Sequence, residues 1–140
     1  MRRANPQIPS LSGGLTGDDQ SSFLNYTAKE LGEAAKELLS IKTVQPATYT
    51  LLLEDAGKYL RFTNGSAITL TVPNVNTTRF RQGTVIHIRQ AGSAQITLSP
   101  ATGVTVNTPE TLKTRKQNSS VMLVAISDNV FDLIGDLEPL

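Results

Sequence analysis

The sequence predicts a mainly β protein, in which an extended N-terminal arm and one short α-helix precede an antiparallel β-sandwich or small barrel of about eight strands. Three observations carry this expectation. The hydrophobic period changes once, near Thr43, from heptad spacing to alternation. Beyond that point, clusters of Gly, Pro, Asn and Asp interrupt the alternation at regular intervals. No βαβ unit is visible in the alternating part, so hairpin connections are expected. The resulting organisation is an arm over residues 1–22, a helical stem over 23–43 and a β head over 44–140.

Composition sets the outer bounds. A chain of 140 residues with 39% hydrophobic and 18% charged residues has room for one domain with a modest core. The longest uninterrupted apolar stretch, Val121 to Ile126, falls far short of the ~20 residues of a membrane-spanning helix. Arg2 and Arg3 are followed by no apolar segment of the secretory kind. With no cysteine there is no disulfide framework and no thiolate chemistry, so stability must come from burial or association. Thirteen basic residues face twelve acidic ones without concentration on either side of Thr43, which does not support a general affinity for nucleic acid. Two local basic clusters, Arg79 with Arg81 and Lys113 to Lys116, read as solvated loops, with docking on an acidic partner the sharper alternative.

In the arm, Pro6, Pro9, Gly13, Gly14 and Gly17 stand among polar residues, with Ile8, Leu11 and Leu15 as isolated apolar points. Such a segment cannot build a core of its own. It can lie along a groove or sheet edge of another protein, its backbone supplying hydrogen bonds and its spaced side chains entering separate pockets. Ile8, Leu11 and Leu15 are therefore the candidate docking residues, and they would be unusual in a purely solvating tail.

The stem opens on Thr27-Ala28-Lys29-Glu30, the pattern of a capping box. Leu24, Leu31 and Leu38 recur every seven residues, with Ala34 and Ile41 on the adjacent seam, which is coiled-coil spacing. A helix this short is marginal in water, and Gly32 weakens it by ~1 kcal/mol relative to alanine. Its stripe must be covered either by sister chains or by the head. The small Ala34 and Ala35 permit close approach, which favours association.

Past Pro46 the period is two. Tyr49–Leu53, Lys58–Thr63, Ala67–Val72, Gly83–Gln90, Ala94–Ser99, a segment around Val104 and Val106, Val121–Ile126 and Val130–Ile134 are the candidate strands. Leu60 and Phe62 share one face, with Tyr59 and Arg61 on the other; Ile68, Leu70 and Val72 point inward. Asn64-Gly65 reads as a tight hairpin turn, because both residues tolerate positive φ. Val121–Ile126, apolar on both faces, is either central between covered faces or buried against a sister chain.

Few residues of the chain offer chemistry. His87 is the one histidine and there is no cysteine, so a metal site within one chain lacks its second ligand. Ser12 to Gly17 has no P-loop lysine. Glu54-Asp55 and Asp18-Asp19 read as solvated pairs, without the apolar surroundings that would divide acid and base roles between two carboxylates. No catalytic, cofactor-binding or metal-binding residues are expected. Carbohydrate binding without catalysis stays open, with Tyr26, Tyr49, Tyr59, Phe23, Phe62, Phe80 and Phe131 as the aromatic supply.

The segments Leu51 to Phe62, Ala67 to Pro73, Gly83 to Gly92 and Val130 to Leu137 resemble a small β domain of tailed-bacteriophage fibre and virion-decorating proteins. The resemblance covers roughly residues 48 to 137. It implies a non-enzymatic virion protein, usually trimeric, assembled in the host cytoplasm, whose partners are itself and other virion proteins. A host glycan or receptor is a further partner to consider. Similarity to fibre tips favours the tail; the shortness of the chain keeps capsid decoration as the alternative.

Overall fold

The computed structural model describes residues 39–140, which are mainly β. The nine strands among them are β1 (Ser40–Val44), β2 (Thr48–Thr50), β3 (Lys58–Phe62), β4 (Ile68–Val72), β5 (Val85–Gln90), β6 (Ile96–Pro100), β7 (Thr105–Asn107), β8 (Ser120–Ser127) and β9 (Val130–Gly135), with one short 3-10 turn at Leu53–Asp55. They form a six-stranded sheet, β1-β3-β5-β8-β9-β7, and a three-stranded sheet, β2-β4-β6. Strands β1, β3 and β5 are mutually parallel, and so are β2, β4 and β6. The chain therefore passes from one sheet to the other and back, and each pair β1-β2, β3-β4 and β5-β6 is one coil of a short β-solenoid. Antiparallel β8 then lies against β5, β9 returns beside β8, and β7 pairs in parallel with β9.

The antiparallel sandwich or barrel expected from the sequence does not form. Alternation specifies that one face is buried, and both pairing directions satisfy it; direction depends on where each connection leads. The residues after β3 show the difference. Neither Asn64 nor Gly65 has positive φ, so no hairpin turn is made. Instead Asn64 Oδ1 accepts from the Ser66 N–H at 2.7 Å, an Asx turn that takes the chain round a corner. Asn64 Nδ2 donates to the Gln45 carbonyl of the preceding corner, also at 2.7 Å. The next corner stacks directly on this one: the Ala91 and Gly92 N–H groups both donate to the Phe62 carbonyl, at 2.8 and 2.9 Å.

Burial follows the coils. Leu60 pairs with Ile88 and Ile88 with Val121, while Ile68 pairs with Ile96 and Leu70 with Leu98, all of them buried. Each such side chain contributes about 1.5–3 kcal/mol relative to an exposed one. Phe62 lies between Val44 and Gln90 and meets Tyr49 edge-to-face at 5.9 Å. Phe80, from the connection between β4 and β5, packs on Phe131 in the same manner. Buried Gln90 and Thr114 bond to each other, and Thr114 Oγ1 accepts from the Ile96 N–H at 2.9 Å, so one polar link ties both sheets to the closing segment. On the solvent side of the three-stranded sheet, Thr48, Thr69 and Thr97 stand in register, as do Thr50, Thr71 and Ser99. β-branched threonines suit such a face.

Strand β1 corrects the stem. Ile41, expected on a helical seam, is a strand residue paired with Tyr59 and 65% exposed. Ile41, Thr43 and Val44 are β-branched, and β3 offers them a ladder of backbone hydrogen bonds that an isolated helix end lacks. Among the described residues, β structure begins at Ser40. Leu24, Leu31, Ala34 and Leu38 lie outside the described residues, as does the arm.

The first coil ends in a polar cap. Lys42, whose strand partner is buried Leu60, donates to Tyr49 Oη at 2.8 Å, Glu54 Oε2 at 2.9 Å and Asp55 Oδ1 at 3.0 Å. Asp55 is fully buried, its Oδ2 accepting from the Tyr49 hydroxyl at 2.7 Å and the Leu52 N–H at 2.9 Å. The expected solvated pair is therefore divided: Glu54 stays exposed and Asp55 anchors the turn. The bond to Tyr49, together with Glu54 and Asp55, holds the Lys42 ammonium above the usual lysine range against the opposing effect of burial. Burial likewise pushes the Tyr49 phenol up.

Two predictions follow from these contacts. A Cβ at position 92 would lie 2.6 Å from the Thr63 carbonyl oxygen and 2.8 Å from that of Asn64, both backbone atoms. Gly92→Ala should lower stability by about 1–3 kcal/mol in chemical denaturation; an unchanged midpoint would show that the corners do not need this close stacking. Both Lys42 and Tyr49 have folded pKa values raised above their unfolded ones, so their contribution is complete below about pH 10 and is lost as pH rises through the folded values. Melting temperature should fall more steeply above pH 10.5, the ordinary lysine value, in the native chain than in Lys42→Met.

Candidate functional site

The outward face of the six-stranded sheet holds the densest chemistry among the described residues. Because β1, β3, β5, β8 and β9 alternate in step, their outward residues align in rows across the sheet. One row runs Ile41, Tyr59, His87, Met122, Ile134. The next runs Thr43, Arg61, Arg89, Ser120. On the other side of the first row stand Val85, Val124 and Asp132. β8 is thus central, with Val121, Leu123 and Ala125 buried inward and Met122 and Val124 half-buried outward. Nothing among the described residues covers that outer face.

Within it, Tyr59 and His87 place their rings 6.4 Å apart, tilted by 51°. Arg89 Nη1 donates to Tyr59 Oη at 3.3 Å, which steadies the guanidinium beside the ring. Arg61 and Arg89 are register partners on strands about 4.8 Å apart, and like charges so placed repel. Neither makes an ion pair with a carboxylate among the described residues. Arg89 Nε is withdrawn from solvent and has no hydrogen-bond partner among the described residues. A desolvated, unpaired donor costs about 1–3 kcal/mol. The face therefore carries two guanidinium groups that no described carboxylate compensates, two rings and, at the ends of the arginine row, the hydroxyl residues Thr43 and Ser120.

Other groups singled out in the sequence are accounted for locally. Arg79 pairs with Asp128 at 3.2 Å. In the Lys113–Lys116 run, Thr114 is a core residue, and Arg115 grips Asp136 through Nε at 2.6 Å and Nη2 at 3.2 Å. Arg115 and the Ser119 hydroxyl together hold the Asp136 carboxyl below its usual range. A shallow depression lined by Gln82, Ile126, Ser127 and Asp128 and another lined by Asn107, Thr108, Pro109, Asp132, Leu133 and Ile134 contain one carboxylate each. Among the described residues no three His, Cys, Asp or Glu side chains gather as metal ligands, and no helix is long and apolar enough to cross a membrane.

Of the expected site residues, Ile41 lies at the edge of this face, while Ile8, Leu11, Leu15, Leu24, Leu31, Ala34 and Leu38 are outside the described residues. The pairing of Arg61 with Arg89 was not foreseen. Its signal was present: Tyr59-Leu60-Arg61 and His87-Ile88-Arg89 share a ring-aliphatic-arginine pattern that parallel register brings together. No protein-family model matches the chain, and no curated protein is similar to it. The chemistry of the face must accordingly be read from its own side chains.

Arg89→Met removes the unpaired Nε and the repulsion while keeping an apolar stem. It should leave thermal stability unchanged or raise it by about 1 kcal/mol. A fall of several degrees in a melting curve would instead show that the guanidinium holds the sheet together.

Proposed function

We propose that this chain is a non-enzymatic structural protein of a tailed-phage virion, a short homotrimeric fibre whose residues 1–22 dock on the tail and whose β head is displayed outward. One observation carries the reading: the head gathers its most distinctive side chains, Tyr59, His87, Arg61 and Arg89, on an outer face that none of the described residues covers. A surface of this kind suits contact with another molecule. The resemblance of residues 48–137 to fibre and decoration domains supports the same assignment. In this arrangement Ile8, Leu11 and Leu15 enter pockets on a virion protein, and Leu24, Leu31, Ala34 and Leu38 associate three chains. Ile41 no longer belongs to that seam.

Capsid decoration is the alternative placement, with the same parts and a different docking partner. A carbohydrate- or receptor-binding module tethered by its arm is the second reading, favoured by the rings and arginines gathered on one face. The deciding experiment combines solution mass with virion binding. The full chain should have three times the monomer mass, and a chain lacking residues 1–22 should keep that mass while losing attachment to particles stripped of this protein. A persistent monomer, or attachment that survives the deletion, would overturn the fibre reading.

A further inference from the structure

We infer that Tyr59, His87, Arg61 and Arg89 form a binding site for a carboxylate-bearing saccharide, an inference that rests on reading the head as a displayed surface. Parallel register alone places the four side chains together, two rings in one row and two guanidinium groups in the next. The Arg89 guanidinium is held at Tyr59 through Nη1, and among the described residues its Nε–Nη2 edge has no partner. Because Nε is withdrawn from solvent, the side chain must release Tyr59 and swing outward before that edge meets a planar carboxylate, which takes two parallel N–H donors at once. Arg61, exposed and adjacent, supplies the second cation, and an anion between the two converts their repulsion into a shared contact.

The surroundings select among carboxylates. Tyr59 and His87 are half-exposed and stand one row away, within reach of the apolar face of a pyranose whose carboxylate lies over the arginines. Thr43 and Ser120, both exposed, flank the arginines in the same row and offer hydroxyls to the hydroxyls of a neighbouring sugar. A protein carboxylate would use the guanidinium fork and leave the rings and hydroxyls idle. The face spans several strands and none of the described residues covers it, a shape that accepts an extended chain of sugars lying across it.

The test uses the full chain and titration calorimetry against oligogalacturonate and oligosialate, their methyl esters, neutral oligogalactose, a sulfated oligogalactose of matched charge and poly-glutamate. At least one acidic saccharide should bind, and its methyl ester should bind roughly tenfold more weakly or worse, as expected for a lost charge-assisted pair. Arg89→Lys and Arg61→Lys keep the charge but not the fork, and each should lower affinity by about tenfold while circular dichroism melting stays unchanged. Several results would overturn the site: no binding of either acid, equal binding of acid and ester, equal binding of the sulfated sugar or of poly-glutamate, or lysine variants that bind as the native chain does. Solution mass measured on the same samples separates the two readings. A trimer that binds no acidic sugar loses only this site, whereas a monomer that binds one keeps the site and loses the fibre.

Discussion

Parallel, in-register stacking of one coil on the next is the constraint from which the rest of the head follows. Each strand takes its backbone partners from the coil before and the coil after, so an inward residue must stand over an inward residue. Leu60 under Ile88 and Ile68 under Ile96 are the result, with Phe62 held between Val44 and Gln90. The same register governs what faces outward. Rows of like character arise on both outer faces without further design, and a ring or an arginine repeated once per coil becomes a pair in space. The corners obey the constraint as well, since Gly92 lies where any side chain would strike the carbonyls of Thr63 and Asn64.

A stack of coils has two ends, and each end would leave apolar interior open to water. The two are closed differently. At the first coil Lys42, Tyr49 and Asp55 form a hydrogen-bonded lid, with the carboxylate buried and the ammonium half-covered. At the far end, β8 and β9 turn antiparallel about Asn129, whose positive φ allows the tight reversal, and extend the sheet beyond the last coil. Arg115, Ser119 and Asp136 pin the returning chain there. The lid is ionic and sensitive to alkali through Lys42 and Tyr49, whereas the hairpin end depends on packing of Val121, Leu123, Phe131 and Leu133.

Much of this was legible from residues alone, and the exceptions have physical causes. The inward sets of β3 and β4, Leu60 with Phe62 and Ile68 with Leu70 and Val72, are where alternation places them. Pairing direction was not legible, because one buried face serves either direction and a corner residue such as Asn64 looks like a hairpin residue. Yet Ile68-Thr69-Leu70-Thr71 and Ile96-Thr97-Leu98-Ser99 are near copies, in the very register that joins β4 to β6. That internal repeat is the sequence signature of a stacked coil. β1 was hidden because Ile41 happens to continue a seven-residue spacing, and Asp55 because its burial depends on Lys42, a residue assigned to the helix. The arginine pair follows from coil neighbours and could not be seen while β3 and β5 were assigned to hairpins.

The two outer faces of the molecule provide a comparison within one fold. The outward residues of the three-stranded sheet are Thr48, Thr69 and Thr97, then Thr50, Thr71 and Ser99, small β-formers that pair across strands without charge. The six-stranded sheet has the same geometry and a different content. Where Thr43 and Ser120 stand at the ends of its second row, threonine would have served equally well in the middle, but the positions hold Arg61 and Arg89. The substitution brings repulsion between neighbours and an unsatisfied Nε, and no carboxylate among the described residues offsets either. Departures from local consistency of this kind concentrate where a surface meets something else. Rings and guanidinium groups stand side by side on β3 and β5, on a face that none of the described residues covers.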